Sequence, residues 1–287
     1  MNKKSIISLL VSLLAIIACG HEDYWEESEN VSPYVIIDQK PDSINSTTNQ
    51  VTNDSTIPPQ NTNLTKILEG KTIAILGDSY STYGGWIPSG YSCWYGLNGV
   101  DGKNKKANNV SSVKQTWWWK LCYECGATLL INSSYSGSPI CNTGYSNKNA
   151  TNYSFITRMK KDIGGESGNP IFPDIIFIFG GTNDSQANVA VGEFKYEGWT
   201  DSDLKKVLPA ICYMFDYLRK HSPNSRIINI TNYELREEII TGFKEACEYY
   251  VIDNITLSQF TKQGNHPNVD GMESIKNDIV DYLKKNY

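Results

Sequence analysis

Short apolar, β-branched runs recur along this chain at Thr72–Leu76, Thr128–Asn132, Ile175–Phe179, Arg226–Ile230 and Tyr249–Ile255. Their length and composition predict buried strands. Helical spacing fills the intervals. Gln115–Cys125 predicts one helix, with Gly126 as its stop signal. Phe155–Ile163 predicts a weaker one. Asp201–His221 places Leu204, Val207, Leu208, Ile211, Phe215 and Leu218 on one face, with Pro209 positioned to kink it. Glu234–Glu248 and Val269–Lys285 follow, the last with Met272, Ile275, Ile279 and Leu283 on one stripe. Strands alternating with helices predict a three-layer α/β/α domain around a parallel sheet of about five strands. Ligands of such sheets gather at the carboxyl ends of the strands. Ser79, Asn183 and the segment 132–138 fall there.

The alternation fails in three places. Residues 1–18 carry a basic start, Lys3 and Lys4, then an apolar stretch from Ile6 to Ala18 that is too short to span a bilayer comfortably. It ends at Ile16-Ile17-Ala18-Cys19, which resembles a bacterial lipoprotein signal with Cys19 as the lipidated residue. The acidic residues Glu22, Asp23, Glu26 and Glu27 resemble the surface-export signal of Bacteroidetes lipoproteins, and equally suit a solvated linker. Residues 19–65 are otherwise rich in Asn, Thr, Ser, Gln and Pro towards their end. They bury too little apolar surface to offset the entropy of ordering, which predicts a flexible, lipid-anchored tether. The third break is Tyr83–Lys114, a long Gly- and Asn-rich insertion carrying Trp86, Tyr91, Trp94 and Tyr95. Leaving the Ser79 turn, it is placed to wall a substrate cleft, with Trp86, Trp94 and Tyr95 as candidate contacts. The folded domain is then 66–287.

A net charge of −5 argues against nucleic acid as a partner, because phosphate binding needs a basic patch. Beyond Cys19, the cysteines are Cys93, Cys122, Cys125, Cys141, Cys212 and Cys247. They read as small buried groups or disulfide partners. Cys122 and Cys125 form a C-x-x-C, but no second ligand pair at zinc spacing accompanies it, so no metal is expected.

Chemistry concentrates in four short motifs. Gly77-Asp78-Ser79-Tyr80-Ser81 follows the first strand, Asn132–Gly137 the second and Gly180-Gly181-Thr182-Asn183-Asp184 the third; Gly264-Asn265-His266-Pro267-Asn268 precedes the last helix. A hydroxyl becomes a nucleophile when a neighbouring base takes its proton, and a histidine is the usual base near neutral pH. An amide side chain can donate to an oxyanion. In order and wording, the motifs resemble the SGNH (GDSL-like) hydrolase family from Lys71 onward. The resemblance implies a flavodoxin-like α/β/α fold, Ser79 as nucleophile and His266 as base. It also implies an oxyanion hole from the Ser79 and Gly137 N–H groups and the Asn183 side chain, with no cofactor. Asp78 and Asp184 read as structural carboxylates that hold turns.

One position departs from the family. Most relatives carry Asp three residues before the histidine, where it fixes the ring's tautomer; here Gln263 stands there. A main-chain carbonyl, a relocated Asp270 or Asp253, or an impaired enzyme each accounts for it, and the carbonyl is favoured. The reading is an exported serine esterase, anchored to the outer membrane through Cys19, that removes O-acetyl groups from a glycan. Its rival is a glycan-binding surface lipoprotein that kept the scaffold and lost turnover.

Overall fold

The structure, a computed structural model, describes residues 65–96 and 108–287. The signal segment, Cys19, the tether up to residue 64 and the middle of the insertion lie outside the described residues.

The main sheet comprises β1 (Thr72–Gly77), β2 (Thr128–Ser134), β3 (Ile175–Gly180), β4 (Arg226–Thr231) and β5 (Asp253–Thr256), all parallel, in the order β2-β1-β3-β4-β5. This is the three-layer architecture the alternation predicts. Side chains alternate faces with period two. Ile73, Ile75, Phe177, Phe179, Ile228 and Ile230 join one core with α1 (Trp117–Cys125) and the C-terminal helix. Ala74, Leu76, Ile176, Ile178 and Ile227 join the other. That second core takes in α2 (Phe155–Arg158, continued as a π-helical turn through Ile163), α4 (Val207–His221) and α5 (Glu237–Tyr250). Every position of β3 is buried, as a central strand covered on both faces requires.

The chain winds outward from β1 to β2 and then back past β1 to β3. The order therefore reverses between β1 and β3, where ligands collect in open α/β sheets. Gly77 pairs with Phe179, so the segments leaving these two strands emerge side by side. The Asp78 N–H also donates to the Phe179 carbonyl at 3.2 Å.

The helix ends follow local chemistry. Thr116 caps α1 by accepting the Trp119 N–H, and Gly126 stops it with φ of 80°. Asn268 caps α6 (Val269–Asn286) by accepting the Gly271 N–H. Three expectations need correction. The helix expected from Asp201 begins at Val207, after a 3-10 turn at Asp203–Lys205, so Pro209 sits in the first turn, where no intrahelical N–H partner is lost and no kink is needed. Tyr249 and Tyr250 close α5 instead of opening β5; Val251 breaks the helix with φ of 55°. A short helix, α3 (Thr182–Gln186), follows β3 and was not predicted. The six cysteines among the described residues are buried, and none of them is in a disulfide. Among the described residues no cluster of ligating side chains could hold a metal ion.

Candidate active site

The turn after β1 is shaped by close packing. A Cβ at Gly77 would lie 2.3 Å from the Ser134 Oγ and 2.7 Å from the Ser81 Cβ, so only glycine fits. Asp78 then caps a 3-10 turn, Ser79–Ser81, by accepting the Tyr80 N–H at 2.9 Å. The tryptophans of α1 brace this turn from below. Trp117 Nε1 donates to the Ser81 Oγ at 3.2 Å and Trp118 Nε1 to the Ser81 carbonyl at 2.9 Å. Both are fully buried, while Trp119 is half-buried. This divides the three as helical geometry requires.

The histidine arrives on a tight hairpin. Strands β6 (Lys262–Gln263) and β7 (His266–Pro267) are antiparallel and joined by Gly264 and Asn265, with φ of 60° and 61°. Positive φ at both central residues marks a two-residue turn matched to strand twist. The turn aims the Gly264 carbonyl at the imidazole, 3.0 Å from His266 Nδ1. Nε2 lies 2.9 Å from the Ser79 Oγ. With Nδ1–H donating to the carbonyl, Nε2 is left as acceptor for the serine hydroxyl. That is the arrangement that activates a hydroxyl.

Neither rival acid reaches the ring. Asp253 binds Arg226 and the Tyr282 hydroxyl, and the Asp270 side chain is absent from the hydrogen bonds of His266. The Gln263 side chain accepts the Asn109 N–H at 2.9 Å. Asn108 Nδ2 donates to the carbonyls of Gln263, His266 and Pro267. The Tyr80 and Tyr95 hydroxyls donate to the Asn265 and Pro267 carbonyls. The end of the insertion and the Ser79 turn together fasten the histidine hairpin.

Opposite the serine, Asn183 enters from α3. Its Nδ2 donates to the Ser138 carbonyl at 2.9 Å and its Oδ1 accepts from the Tyr145 hydroxyl at 3.2 Å, so the amide is held from both ends. Gly137 has φ of 82°, and a Cβ there would project into open space. Ser79, Tyr80, Trp94, Ser136, Gly137, Tyr145, Thr182, Asn183, Gln186, Asn265 and His266 line a cleft of about 190 Å³. The structure thus brings Ser79, His266, Gly137 and Asn183 together. Of the three aromatic contacts expected for substrate, Trp94 alone lines the cleft. Tyr95 is 2% exposed, and Trp86 packs on Trp118 and Trp119, with ring centres 6.0 and 4.9 Å away. Both are spent on holding the insertion to the core.

The sequence profile described as GDSL-like lipase/acylhydrolase matches residues 71–283. This chain belongs to that family. Two crystal structures carrying a GDSL-like lipase description are similar to it. One, from Bacteroides uniformis, is 44% identical, with TM-score 0.69, covering 75% of this chain and 96% of its own. The other, from Bacteroides ovatus, is 41% identical, with TM-score 0.69, covering 75% and 99%. A carbohydrate esterase described as having divergent catalytic and non-catalytic binding functions shares the fold at 15% identity, with TM-score 0.53 and coverage of 76% and 69%. No curated protein matches the chain.

The charges beneath the cleft of this member of the GDSL-like family were only partly foreseen. Asp184 accepts the N–H groups of Ile140 and Cys141, tying the loop after β2 to α3, and Asp78 holds its own turn; both were expected to be structural. Burial raises them to about 6 and about 7 respectively. Arg158 was not foreseen. Fully buried, it donates to the carbonyls of Gly77, Ser133 and Tyr153 and to the Ser138 Oγ, beneath both strand ends that feed the cleft. Burial lowers its pKa to about 10, so it remains charged at neutral pH. Arg158→Met should destabilise the domain by about 3 kcal/mol, because buried oxygens lose a charged donor. Denaturant unfolding would check this; a change under about 0.5 kcal/mol, ordinary for a surface site, would contradict it. Tyr145, Gln186 and Thr182 were also missed. Tyr145 lies in a polar loop without periodicity, and nothing local marks it.

Proposed function

We propose that this member of the family is a serine esterase in which Ser79 attacks an ester carbonyl and His266 takes its proton. The observation that carries the reading is the Ser79 Oγ–His266 Nε2 contact at 2.9 Å, backed by Gly264 on Nδ1, at the rim of a cleft shared with Gly137 and Asn183. The N–H groups of Ser79 and Gly137 and the Asn183 amide stabilise the oxyanion. The acyl-enzyme forms as His266 returns the proton to the leaving alcohol. Water, deprotonated by the same imidazole, then releases the acid. No cofactor enters the scheme.

The substrate class follows from size and polarity. The cleft is smaller than the ~300 Å³ at which drug-sized pockets begin, and the hydroxyl and amide side chains of Ser79, Ser136, Thr182, Asn183 and Gln186 share its lining with the aromatic Tyr80, Trp94 and Tyr145. A short acyl group suits it, and an acetyl ester on a glycan is the reading adopted. Acetylated glycans assayed beside a series of acyl esters of rising chain length, with Ser79→Ala as blank, test it. A preference for long chains would overturn the acetyl assignment. Gln263 in place of an acid favours a second reading, a glycan-binding protein without turnover. Fluorophosphonate labelling of Ser79 separates the two. The proposal also anchors the chain to the outer membrane through Cys19, exported by its signal segment; Cys19→Ala should then shift it from the membrane fraction to the soluble one.

Burial, more than the nearby Lys262 charge, lowers His266 to about 4, against a smaller upward pull from the Gly264 carbonyl. The base works when neutral, and its neutral fraction rises with pH through that value. kcat/KM should therefore climb with an acid limb near pH 4 and be flat by about pH 6, where an ordinary histidine of pKa ~6.5 is still mostly protonated. An acid limb between pH 6 and 7 would contradict this environment for His266.

A further inference from the structure

The imidazole has a second neighbour that the motifs do not mention. Trp94 lies face to face on His266, ring centres 3.4 Å apart and planes 10° from parallel. The stack is built in. The Trp94 N–H donates to the Thr82 Oγ1 at 2.9 Å, and the Thr82 hydroxyl donates to the Ser79 carbonyl at 3.0 Å. The tryptophan is therefore indexed to the nucleophile's own turn. Tyr80 and Tyr95 meet the imidazole edge-on, at 5.3 and 6.2 Å. Among the described residues, the charged and titratable groups facing the ring are Tyr80, Tyr95 and Lys262, the last paired with Glu234. Among the described residues no carboxylate hydrogen-bonds to the imidazole to offset the positive charge it acquires when it takes the serine proton.

We infer that Trp94 is a positioning residue whose π face stabilises the His266 imidazolium in place of the missing acid, while locking the ring plane for transfer from Ser79. The inference rests on the esterase reading for its catalytic consequence. An aromatic face attracts a cation through its quadrupole, most strongly for tryptophan and in a desolvated site. Gly264 fixes the tautomer as a neutral acceptor; Trp94 supplies the charge-stabilising part of the acid's role. This also explains why an aromatic residue expected to greet substrate presents a face to the histidine.

Ring fluorination provides the test, since it drains the quadrupole while leaving shape and solvent exclusion nearly unchanged. Tryptophans of increasing fluorine content would be placed at position 94 of the full chain. His266 would be titrated by NMR, assigned against His266→Gln, and kcat measured on a p-nitrophenyl ester. The expected result is a stepwise fall in the His266 pKa and in kcat, together about tenfold across the series in kcat, with KM little changed. Trp94→Phe should retain more activity than Trp94→Leu. A pKa and kcat both indifferent to fluorine would overturn the inference, as would equal activity in the Phe and Leu variants. If no ester is turned over by any form, the esterase reading fails, and the NMR titration still decides whether the stack holds the cation. If turnover is normal and unmoved by fluorine, the stack fails and the esterase reading stands.

Discussion

Ser79→Ala should lower ester hydrolysis by on the order of a millionfold, the scale seen when a nucleophile is removed from a unit of cooperating groups. The hydroxyl is bonded to His266 Nε2 at 2.9 Å, and among the described residues no other hydroxyl hydrogen-bonds to that ring. The loss should be chemical and not structural. The Ser79–Ser81 turn is held by the Asp78 side chain and by the two buried tryptophans, none of which uses the Ser79 Oγ. The histidine hairpin is held separately by Asn108, Tyr80 and Tyr95. Thermal unfolding should therefore be nearly unchanged while turnover of p-nitrophenyl acetate disappears. Wild-type turnover by the purified variant would remove Ser79 from its assigned role.

Asn183→Ala should cost about a hundred- to a thousandfold in kcat, the usual scale for one oxyanion donor. KM should move little, because the amide's bond strengthens chiefly as charge develops on the substrate oxygen. The Ser138 carbonyl and the Tyr145 hydroxyl each lose a partner in this variant, so a stability measurement belongs beside the kinetics. Tyr145→Phe leaves the amide in place and frees its Oδ1, together with the Gln186 Oε1; it should show a smaller loss in the same parameter. An effect confined to KM would mean that Asn183 binds the ground state and is not an oxyanion donor.

Much of the scaffold was legible because its signals are local. β1 and β3 were placed from their apolar runs to within a residue, since a strand buried on both faces needs apolar side chains on every position. Gly126 ended α1 where a left-handed residue was needed. The errors fell where local signals compete. Tyr249-Tyr250-Val251 reads as β-branched and aromatic, yet α5 runs on through Tyr250, which packs beside Phe243 and Cys247 on the core, until Val251 turns the chain. α3 is five residues long, too short for periodicity to register, although it carries Asn183.

The candidate site divides in the same way. The order of motifs along the sequence, read on a predicted parallel sheet, was enough to bring Ser79, Asn183 and the segment carrying Gly137 to one end of the domain, because the carboxyl ends of parallel strands all lie on one edge; His266, on a hairpin outside that sheet, joined them only through the family resemblance. What holds those groups was decided by tertiary structure alone. The Gly264 carbonyl reaches His266 through the backbone of a hairpin turn, and backbone orientation carries no side-chain signature. Arg158, many residues from the strand ends it caps, and Trp94, inside an insertion without periodicity, act through contacts that exist only once the chain has closed on itself. A sequence specifies residue types and spacings; these contacts depend on which carbonyl or ring face is left pointing at a neighbour when the layers pack.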